Sequence, residues 1–256
     1  MRTGMPASAG LPTAADFERE RGWPRPLMFL TVLTVIAVVV GLYMALIYAG
    51  RDVVQGDVQR IFYIHMPIFF GAFLAFAVAV VGGVLYLRTG SLKWDSLSLA
   101  GVEVGIVLAA INLVTGMVWA RPTWNTWWTW DPRLTSSAIM TLTYAAYFML
   151  RSSIENPLTR RRLSAVFAIF AILTAIMTIA VIRIRPDTIH PTVIGQSPQN
   201  AQGSFVLEGS SSMGAAFSVN MVVWAVLVPI TLLWHRLRLQ KLMLMVDALK
   251  ARLYER

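Results

Sequence analysis

Three histidines and a cluster of four tryptophans are the residues whose types could support chemistry in this chain. His65 lies in the stretch "QRIFYIHMP", His190 lies in "RIRPDTIHPTV", and His235 follows the last apolar segment. A neutral imidazole carries a lone pair on one ring nitrogen, and histidine is therefore the commonest metal ligand. The segment "PTWNTWWTWDPRLT" holds four tryptophans within seven positions, namely Trp124, Trp127, Trp128 and Trp130.

Two histidines are too few for a closed zinc site, which takes four ligands. They suffice for an iron that is already held in a planar macrocycle, because haem iron needs only axial ligands from the protein. Such a macrocycle also needs flat apolar surfaces, which indole rings offer, and cations for its carboxylates. Arginine binds carboxylates through two parallel hydrogen bonds. The arginines placed for this are Arg60 and Arg133, with Arg183 and Arg185 as reserves.

Simpler interpretations of these residues stay open. Each histidine alone could hydrogen-bond a helix carbonyl or water, and the tryptophans could form the aromatic belt that membrane proteins carry at the interface. A belt does not require adjacent tryptophans followed by Asp131-Pro132-Arg133. Asp131 could accept a hydrogen bond from an indole N–H, pair with Arg133, or cap the next helix.

The composition indicates a polytopic membrane protein. The chain has 256 residues, of which 57% are hydrophobic and 14% charged, with a mean hydropathy of +0.63, whereas about a quarter of a soluble domain is charged. We attribute the net charge of +9 to basic cytoplasmic loops and expect no nucleic-acid partner. The chain has no cysteine, which excludes disulfides, thiol chemistry and cysteine-ligated metal sites.

The elements that must position these residues are transmembrane helices. A span needs about 20 mostly apolar residues, and we expect an all-α membrane protein with six of them. The first span is read as an uncleaved helix, since its apolar run is longer than that of a signal peptide. The six segments are about Leu27–Tyr48, Ile61–Leu87, Leu97–Val118, Leu134–Leu150, Leu163–Ile182 and Met213–Trp234.

The distribution of lysine and arginine predicts the orientation. The two tails and residues 88–96 and 151–162 carry 16 of them, whereas the three other loops carry 6. By the positive-inside rule both termini are cytoplasmic. The tryptophan-rich loop between the third and fourth helices is then extracytoplasmic, as is the longest loop, about residues 183–212. The expected parts are a tail (1–26), a six-helix domain (27–234) and a basic amphipathic tail (235–256) on the inner membrane surface or on a partner.

Two motifs resemble those of a known family. "WNTWWTWDPRLT" is similar to the tryptophan-rich WWD motif of the haem-handling proteins of cytochrome c maturation, and "QGDVQRIFYIHMP" is similar to their second-helix motif. With six expected spans and two outer histidines, the chain resembles the CcmC type, the haem exporter protein C family, over about residues 27–234. It departs from the family in having Asn125 where glycine is usual, and in the basic, proline-containing surroundings of His190.

The resemblance implies a haem b site on the extracytoplasmic face of the inner membrane. His65 and His190 would be the axial ligands, Arg60 and Arg133 would hold the propionates, and the outer platform would consist of Trp124, Trp127, Trp128, Trp130 and Asp131. The resemblance also implies partners: a periplasmic haem chaperone (CcmE type), ATP-binding cassette subunits (CcmA and CcmB type) and a small single-span subunit (CcmD type).

The expected function is binding of haem and its presentation to the chaperone during c-type cytochrome biogenesis, without enzymatic activity of this chain. The chain has no phosphate-binding loop, and ATP hydrolysis is expected from a partner. The alternatives are a permease subunit for haem or a small solute and a scaffold that binds no pigment. A permease path needs polar groups along the membrane, and only Glu103, Asn112 and a few hydroxyls qualify. Whether Glu103 is protonated or pairs with a cation of a partner subunit stays open here.

Overall fold

The computed structural model describes residues 13–52, 55–185, 187–190 and 211–254, and these residues are almost entirely helical and contain no β-strand. Short π-helical turns follow the second helix and join the last two, and a 3-10 turn precedes the third. The helices in chain order are α1 (Ala14–Arg21), α2 (Arg25–Tyr43, extended by Met44–Tyr48), α3 (Phe62–Thr89, preceded by Asp57–Ile61), α4 (Leu92–Trp124), α5 (Pro132–Ser153), α6 (Pro157–Ile184), α7 (Ser211–Val222) and α8 (Val228–Tyr254, preceded by Val223–Leu227).

Five of these segments are long and apolar enough to cross a membrane, so the chain is a multi-pass helical membrane protein. They are Ala14–Tyr48, Asp57–Thr89, Leu92–Trp124, Pro157–Ile184 and Ser212–Ala251. The sixth expected span, Leu134–Leu150, lies within α5, a helix of 22 residues. Its serines and threonines make it less apolar than the other five segments. The all-α class is therefore confirmed, while the sixth span and the side of the membrane on which each loop lies remain predictions.

The helix boundaries follow local chemistry. α5 and α6 both begin with proline at the first helical position, where its missing N–H costs nothing, and both have a side-chain cap. The cap of α5 is Asp131, and the cap of α6 is Asn156, whose side-chain oxygen accepts from the next free backbone N–H groups. α3 ends at Gly90, which adopts the left-handed conformation with φ of +67°.

α3 lies at the centre of the bundle and packs against α4, α6 and the π-helical turn before α8. The α3–α4 contact is close enough that side chains would not fit at two glycines. A Cβ added at Gly82 would lie 2.6 Å from the backbone nitrogen of Ser98, and one added at Gly101 would lie 2.6 Å from the carbonyl oxygen of Ala75. Small residues allow membrane helices to approach in this way, and the close approach fixes where the ends of α3 and α4 meet.

The two ends of the bundle differ in chemistry. We call the end that carries residues 125–131 and 187–190 the Trp end, and the opposite end the basic end. At the basic end Arg151 of α5 binds Asp95 of α4 through two hydrogen bonds of 2.7 and 2.9 Å, and Arg161 of α6 lies 3.6 Å from the same carboxylate. Glu103 pairs with Arg236 of α8 at 2.5 Å. The carboxylate within the third span therefore has a cation partner in its own chain.

The C-terminal segment continues the last span instead of forming a separate helix. No proline or glycine stands between Trp234 and Tyr254 to stop α8, and such residues are the usual helix stops. Arg238 donates to the backbone carbonyls of Glu20, Arg21 and Gly22 at the end of α1, and Lys241 pairs with Glu20 at 2.6 Å. α1 is a short helix within the tail expected at residues 1–26, and these contacts hold the first turns of the C-terminal segment against it. Contact of that segment with a lipid surface stays a prediction.

Candidate functional site

A cleft at the Trp end of the bundle brings together five of the nine residues that the sequence predicted for the site. Its empty space, including its open mouth, is about 1310 Å³. The helices α3, α4, α5 and α6 all contribute to its walls. The polar and aromatic residues that line it are Phe62, His65, Phe69, Phe70, Asn112, Trp119, Trp124, Trp128, Arg133, Ser137, Arg183 and His190.

His65 lies in the first turn of α3 and is held against α4. Its Nδ1 atom lies 3.0 Å from the hydroxyl oxygen of Thr115 and 3.3 Å from the Asn112 amide nitrogen, and that nitrogen donates to the His65 carbonyl at 2.7 Å. A Cβ added at Gly116 would lie 3.0 Å from the ring, so glycine makes room for the imidazole. The other ring nitrogen, Nε2, has no hydrogen-bond partner among the described residues. One ring nitrogen of His65 is therefore engaged, and the other is available to a ligand.

His190 reaches the same cleft from the segment after α6. Its ring lies 6.2 Å from that of Trp119 and 6.4 Å from that of Trp124, measured between centroids. The segment is fixed to the start of α5, because the Asp131 carboxylate accepts from the Thr188 hydroxyl at 3.0 Å and from the Ile189 N–H at 2.7 Å. Two histidines that are 125 positions apart in the sequence thus line one cleft. The remainder of the long loop, residues 191–210, lies outside the described residues.

The clustered tryptophans divide into two pairs. Trp124 and Trp128 line the cleft. Trp127 is 54% exposed and Trp130 is 82% exposed, and neither lines the cleft. A further cleft residue, Trp119, was not singled out in the sequence; its indole N–H donates to the Gln55 side chain at 3.1 Å. Trp119 is five positions before Trp124 and lies on the same helix, α4, which is longer than expected and includes the first tryptophan of the motif.

Asn125 stands where the resemblance implies glycine, and its backbone conformation shows why asparagine suits this position. It ends α4 in the left-handed conformation, with φ of +56°. Glycine adopts this conformation without strain, and asparagine is among the few other residues that visit it routinely. Arg121 donates to the carbonyl oxygen of Asn125 at 2.8 Å and also to its side-chain oxygen. The turn into the tryptophan-rich loop therefore forms with asparagine at this position.

The arginines occupy different positions relative to the cleft. Arg133 lines it, lies 4.8 Å from the Phe69 ring centroid, and donates to the Thr178 carbonyl. Among the described residues no carboxylate lies within 4.0 Å of the Arg133 guanidinium. Arg183 also lines the cleft. Arg133, a cation in an aromatic cleft with no carboxylate that close in the described part of the chain, suits an anionic ligand.

Two arginines are engaged elsewhere. Arg60 pairs with Asp57 at 3.2 Å and donates to the carbonyl of Leu46, and it is not among the residues that line the cleft. Binding of a haem propionate by Arg60 stays a prediction. Arg185 pairs with Asp187 at 2.6 Å, and this hydrogen-bonded contact lowers the pKa of the Asp187 carboxyl.

His235 is separated from the other two histidines and lies at the basic end. Its Nε2 atom is 2.8 Å from the Thr31 hydroxyl, and its ring is in edge contact with Trp23 at 5.1 Å. Among the described residues, no group of three or more His, Cys, Asp or Glu side chains is arranged to hold a metal ion.

The fold and the cleft define a multi-pass helical membrane protein with an aromatic, cationic and histidine-bearing pocket at one end. The model of one protein family, CcmC: Heme exporter protein C, matches residues 24–246. The chain belongs to the heme exporter protein C family, and the resemblance seen in its two motifs is thereby confirmed.

Relatives in several bacteria align with much of the chain. Heme exporter protein C of Bradyrhizobium diazoefficiens is 30% identical over 210 residues, which is 79% of this chain and 72% of that protein. The proteins of the same name in Rhodobacter capsulatus and Escherichia coli K12 are 30% and 31% identical over 154 and 165 residues. The chain spans 64% and 63% of the length of these two relatives.

Proposed function

We propose that the chain binds haem b in the cleft at the Trp end and presents it to a periplasmic haem chaperone during c-type cytochrome biogenesis. The observation that carries the proposal is that His65 and His190, from distant parts of the sequence, line one aromatic cleft. Membership of the heme exporter protein C family supports haem as the ligand. The cleft faces the extracytoplasmic side of the inner membrane in this proposal, with α5 as the sixth span.

The residues of the cleft fit a haem group. Nε2 of His65 has no partner among the described residues and suits an axial ligand, and His190 is the proposed second ligand. Arg133 and Arg183 line the cleft and are proposed to hold the carboxylates of the ligand. Trp124 and Trp128 offer the flat apolar surface that a macrocycle requires. When bound, haem would supply an iron whose redox potential depends on the axial ligands and the surrounding dielectric.

The exposed pair, Trp127 and Trp130, is proposed to act in delivery. Large exposed aromatic side chains beside a binding cleft suit contact with a protein acceptor, because tryptophan is enriched among residues that dominate binding energy at interfaces. The chain itself carries out no covalent chemistry in this proposal. ATP hydrolysis is expected from cassette subunits of the CcmA and CcmB type, with a CcmD-type subunit beside this chain.

A cellular experiment tests the proposal as a whole. The chain is expressed with its partner proteins and the chaperone in cells that lack their own copy, and covalent haem on the chaperone is measured by haem staining. The native chain should give haem-loaded chaperone, and His65→Ala and His190→Ala should each reduce it strongly at equal protein level. His235→Ala is the matched control and should load the chaperone normally. Normal loading by both cleft variants would contradict the proposal.

A further inference from the structure

Asp131, which follows the tryptophans, makes four hydrogen bonds with its carboxylate. Oδ1 accepts from the backbone N–H of Arg133 at 2.8 Å, from that of Leu134 at 3.4 Å and from the Thr188 hydroxyl at 3.0 Å. Oδ2 accepts from the backbone N–H of Ile189 at 2.7 Å. Two of the bonds cap α5, and the other two join a segment 57 and 58 positions away. A single side chain therefore connects the tryptophan-rich loop with the segment that carries His190.

Asp131 is buried and does not line the cleft. Asp131 is only 7% exposed, and it is not among the residues that line the cleft, although Arg133 and His190 are. A buried carboxylate is costly unless hydrogen bonds compensate its charge. Asp131 has that compensation from four protein donors, and this arrangement suits an internal connection better than contact with a ligand.

Thr188 extends the connection to His190 itself. Its side chain is 1% exposed, and its hydroxyl donates to Asp131 and accepts from the backbone N–H of His190 at 3.3 Å. The hydroxyl has one proton and two lone pairs, so it can make both bonds at once. Two successive hydrogen bonds thus lead from the Asp131 carboxylate to the backbone of the histidine.

We infer that Asp131 is a positioning residue, which uses Thr188 and the Ile189 N–H to hold His190 over the cleft rather than touching haem itself. The inference rests on the proposed function and deepens it, because it states what sets the geometry of the second iron ligand. It also explains why an aspartate follows the tryptophans. A carboxylate accepts on both oxygens, whereas an amide accepts on only one.

The difference between a carboxylate and an amide allows the two roles of Asp131, capping α5 and holding the His190 segment, to be tested separately. Asparagine is as good a helix cap as aspartate, so Asp131→Asn keeps the bonds to Arg133 and Leu134. The same substitution sets an NH₂ group against the Ile189 N–H, where two donors face each other. Thr188→Val breaks the other bond to the segment and leaves the cap untouched. If both variants give the same defect, that defect comes from the connection to the His190 segment.

The first arm of the test needs no haem. Because the native chain contains no cysteine, His190→Cys introduces a single thiol whose labelling rate reports how firmly the segment is held. Adding Asp131→Asn or Thr188→Val should accelerate labelling at least about tenfold, since each change removes a buried hydrogen bond to a charged group. Thr188→Ser restores the hydroxyl and should restore slow labelling. Asn156→Ala removes the cap of α6, at the other end of α5, and should leave the rate unchanged.

The second arm uses the purified native chain with haem added, and its absorption and electron paramagnetic resonance spectra. Asp131→Asn and Thr188→Val should give the spectrum of His190→Ala, with iron still held by His65. Unchanged labelling in both variants, or spectra of both that match the native protein, would overturn the inference. If the native chain binds no haem while the labelling rates respond as expected, the proposed function fails but the connection from Asp131 to the His190 segment stands.

Discussion

The Thr115 hydroxyl is hydrogen-bonded to the His65 ring, with 3.0 Å between Oγ1 and Nδ1. The direction of this bond follows from the other contacts of Thr115, whose hydroxyl lies 2.9 and 3.0 Å from the carbonyl oxygens of Ile111 and Asn112. A carbonyl can only accept, so the hydroxyl proton is directed there and the oxygen can accept from the ring. We assign the ring proton to Nδ1 on this basis, with the Asn112 amide, 3.3 Å from Nδ1, donating to the His65 carbonyl at 2.7 Å. The lone pair of His65 is then on Nε2, as in metal-binding histidines whose other nitrogen is fixed by a hydrogen bond.

Removing this acceptor should weaken iron binding without removing the ligand. For Thr115→Val we expect a loss of about 10- to 100-fold in haem affinity, which is typical when the partner of a ligating histidine is lost. Thr115→Ser should restore most of the affinity. The measurement is a haem titration followed in the Soret band. Thr143→Val is the control, since the Thr143 hydroxyl bonds only its own helix, at the Ile139 carbonyl, and native affinity in Thr115→Val would contradict the assignment.

Arg133 should recognise a carboxylate of the ligand. We expect Arg133→Gln to weaken haem binding by about 1.5–3 kcal/mol, the usual value of a hydrogen bond to a charged group. The measurement compares the affinity for haem with the affinity for its dimethyl ester, which has the same ring and no anionic carboxylates. The native chain should prefer haem, and Arg133→Gln should lose much of that preference. Arg185→Gln, which removes an arginine paired with Asp187, should keep it. An equal preference in the native chain and Arg133→Gln would rule out this role.

The two tryptophan pairs should differ in the step that they affect. Each tryptophan can bury up to about 250 Å², so losing one from the cleft could cost a few kcal/mol at about 25 cal/mol per Å². Trp128→Ala should therefore lower the haem content of the purified chain. Trp127→Ala and Trp130→Ala should retain haem but reduce loading of the chaperone. If both exposed variants load it normally at normal protein levels, these two side chains are an interfacial belt.

At the basic end, the ion pair between Asp95 and Arg151 should matter for stability. Both side chains are mostly buried, at 10% and 16% exposure, and removing one partner of such a pair leaves an uncompensated charge that costs up to about 3–5 kcal/mol. Asp95→Asn should therefore lower the unfolding temperature in detergent. Asp57→Asn is the matched control, since this carboxylate is 56% exposed in its pairs with Arg51 and Arg60 and exposed pairs contribute about 0–1 kcal/mol. Equal unfolding temperatures of the two variants would contradict this role of Asp95.

The orientation can be checked with single cysteines. Trp127→Cys should react with an impermeant thiol reagent added outside intact cells, because the loop is expected on the extracytoplasmic side. Arg161→Cys and Lys250→Cys should react only after the membrane is opened. Labelling of Arg161→Cys from outside would reverse the orientation and with it the proposed side of haem presentation.

The sequence predicted the helical class and the family better than the contacts between residues. Apolar runs of about 20 residues identify spans directly, and the histidine and tryptophan motifs were distinctive enough to indicate the family. The bonds of Asp131 to Thr188 and Ile189 join residues almost 60 positions apart. Nothing in the local pattern encodes such a long-range contact, which depends on how α5 and α6 pack.

Side-chain direction was the other limit of sequence reasoning. Adjacent tryptophans in a loop have no fixed periodicity, so the division between Trp128 in the cleft and Trp130 at 82% exposure could not be foreseen. Trp119 precedes the motif on an apolar helix and could have been noticed. It was missed because the predicted span ended at Val118. α1 could also have been predicted from its helix cap, and the continuation of α8 from the absence of helix-breaking residues. Hydropathy alone detects neither feature.

The most direct test of the haem site is the absorption spectrum of the purified chain titrated with haem, beside three histidine variants. We predict a spectrum of six-coordinate iron with two imidazole ligands for the native chain and for His235→Ala. His65→Ala and His190→Ala should each lose this spectrum and bind haem more weakly, and added imidazole should restore the six-coordinate form in both. A native spectrum in either His65→Ala or His190→Ala, or no haem spectrum in the native chain, would contradict the account.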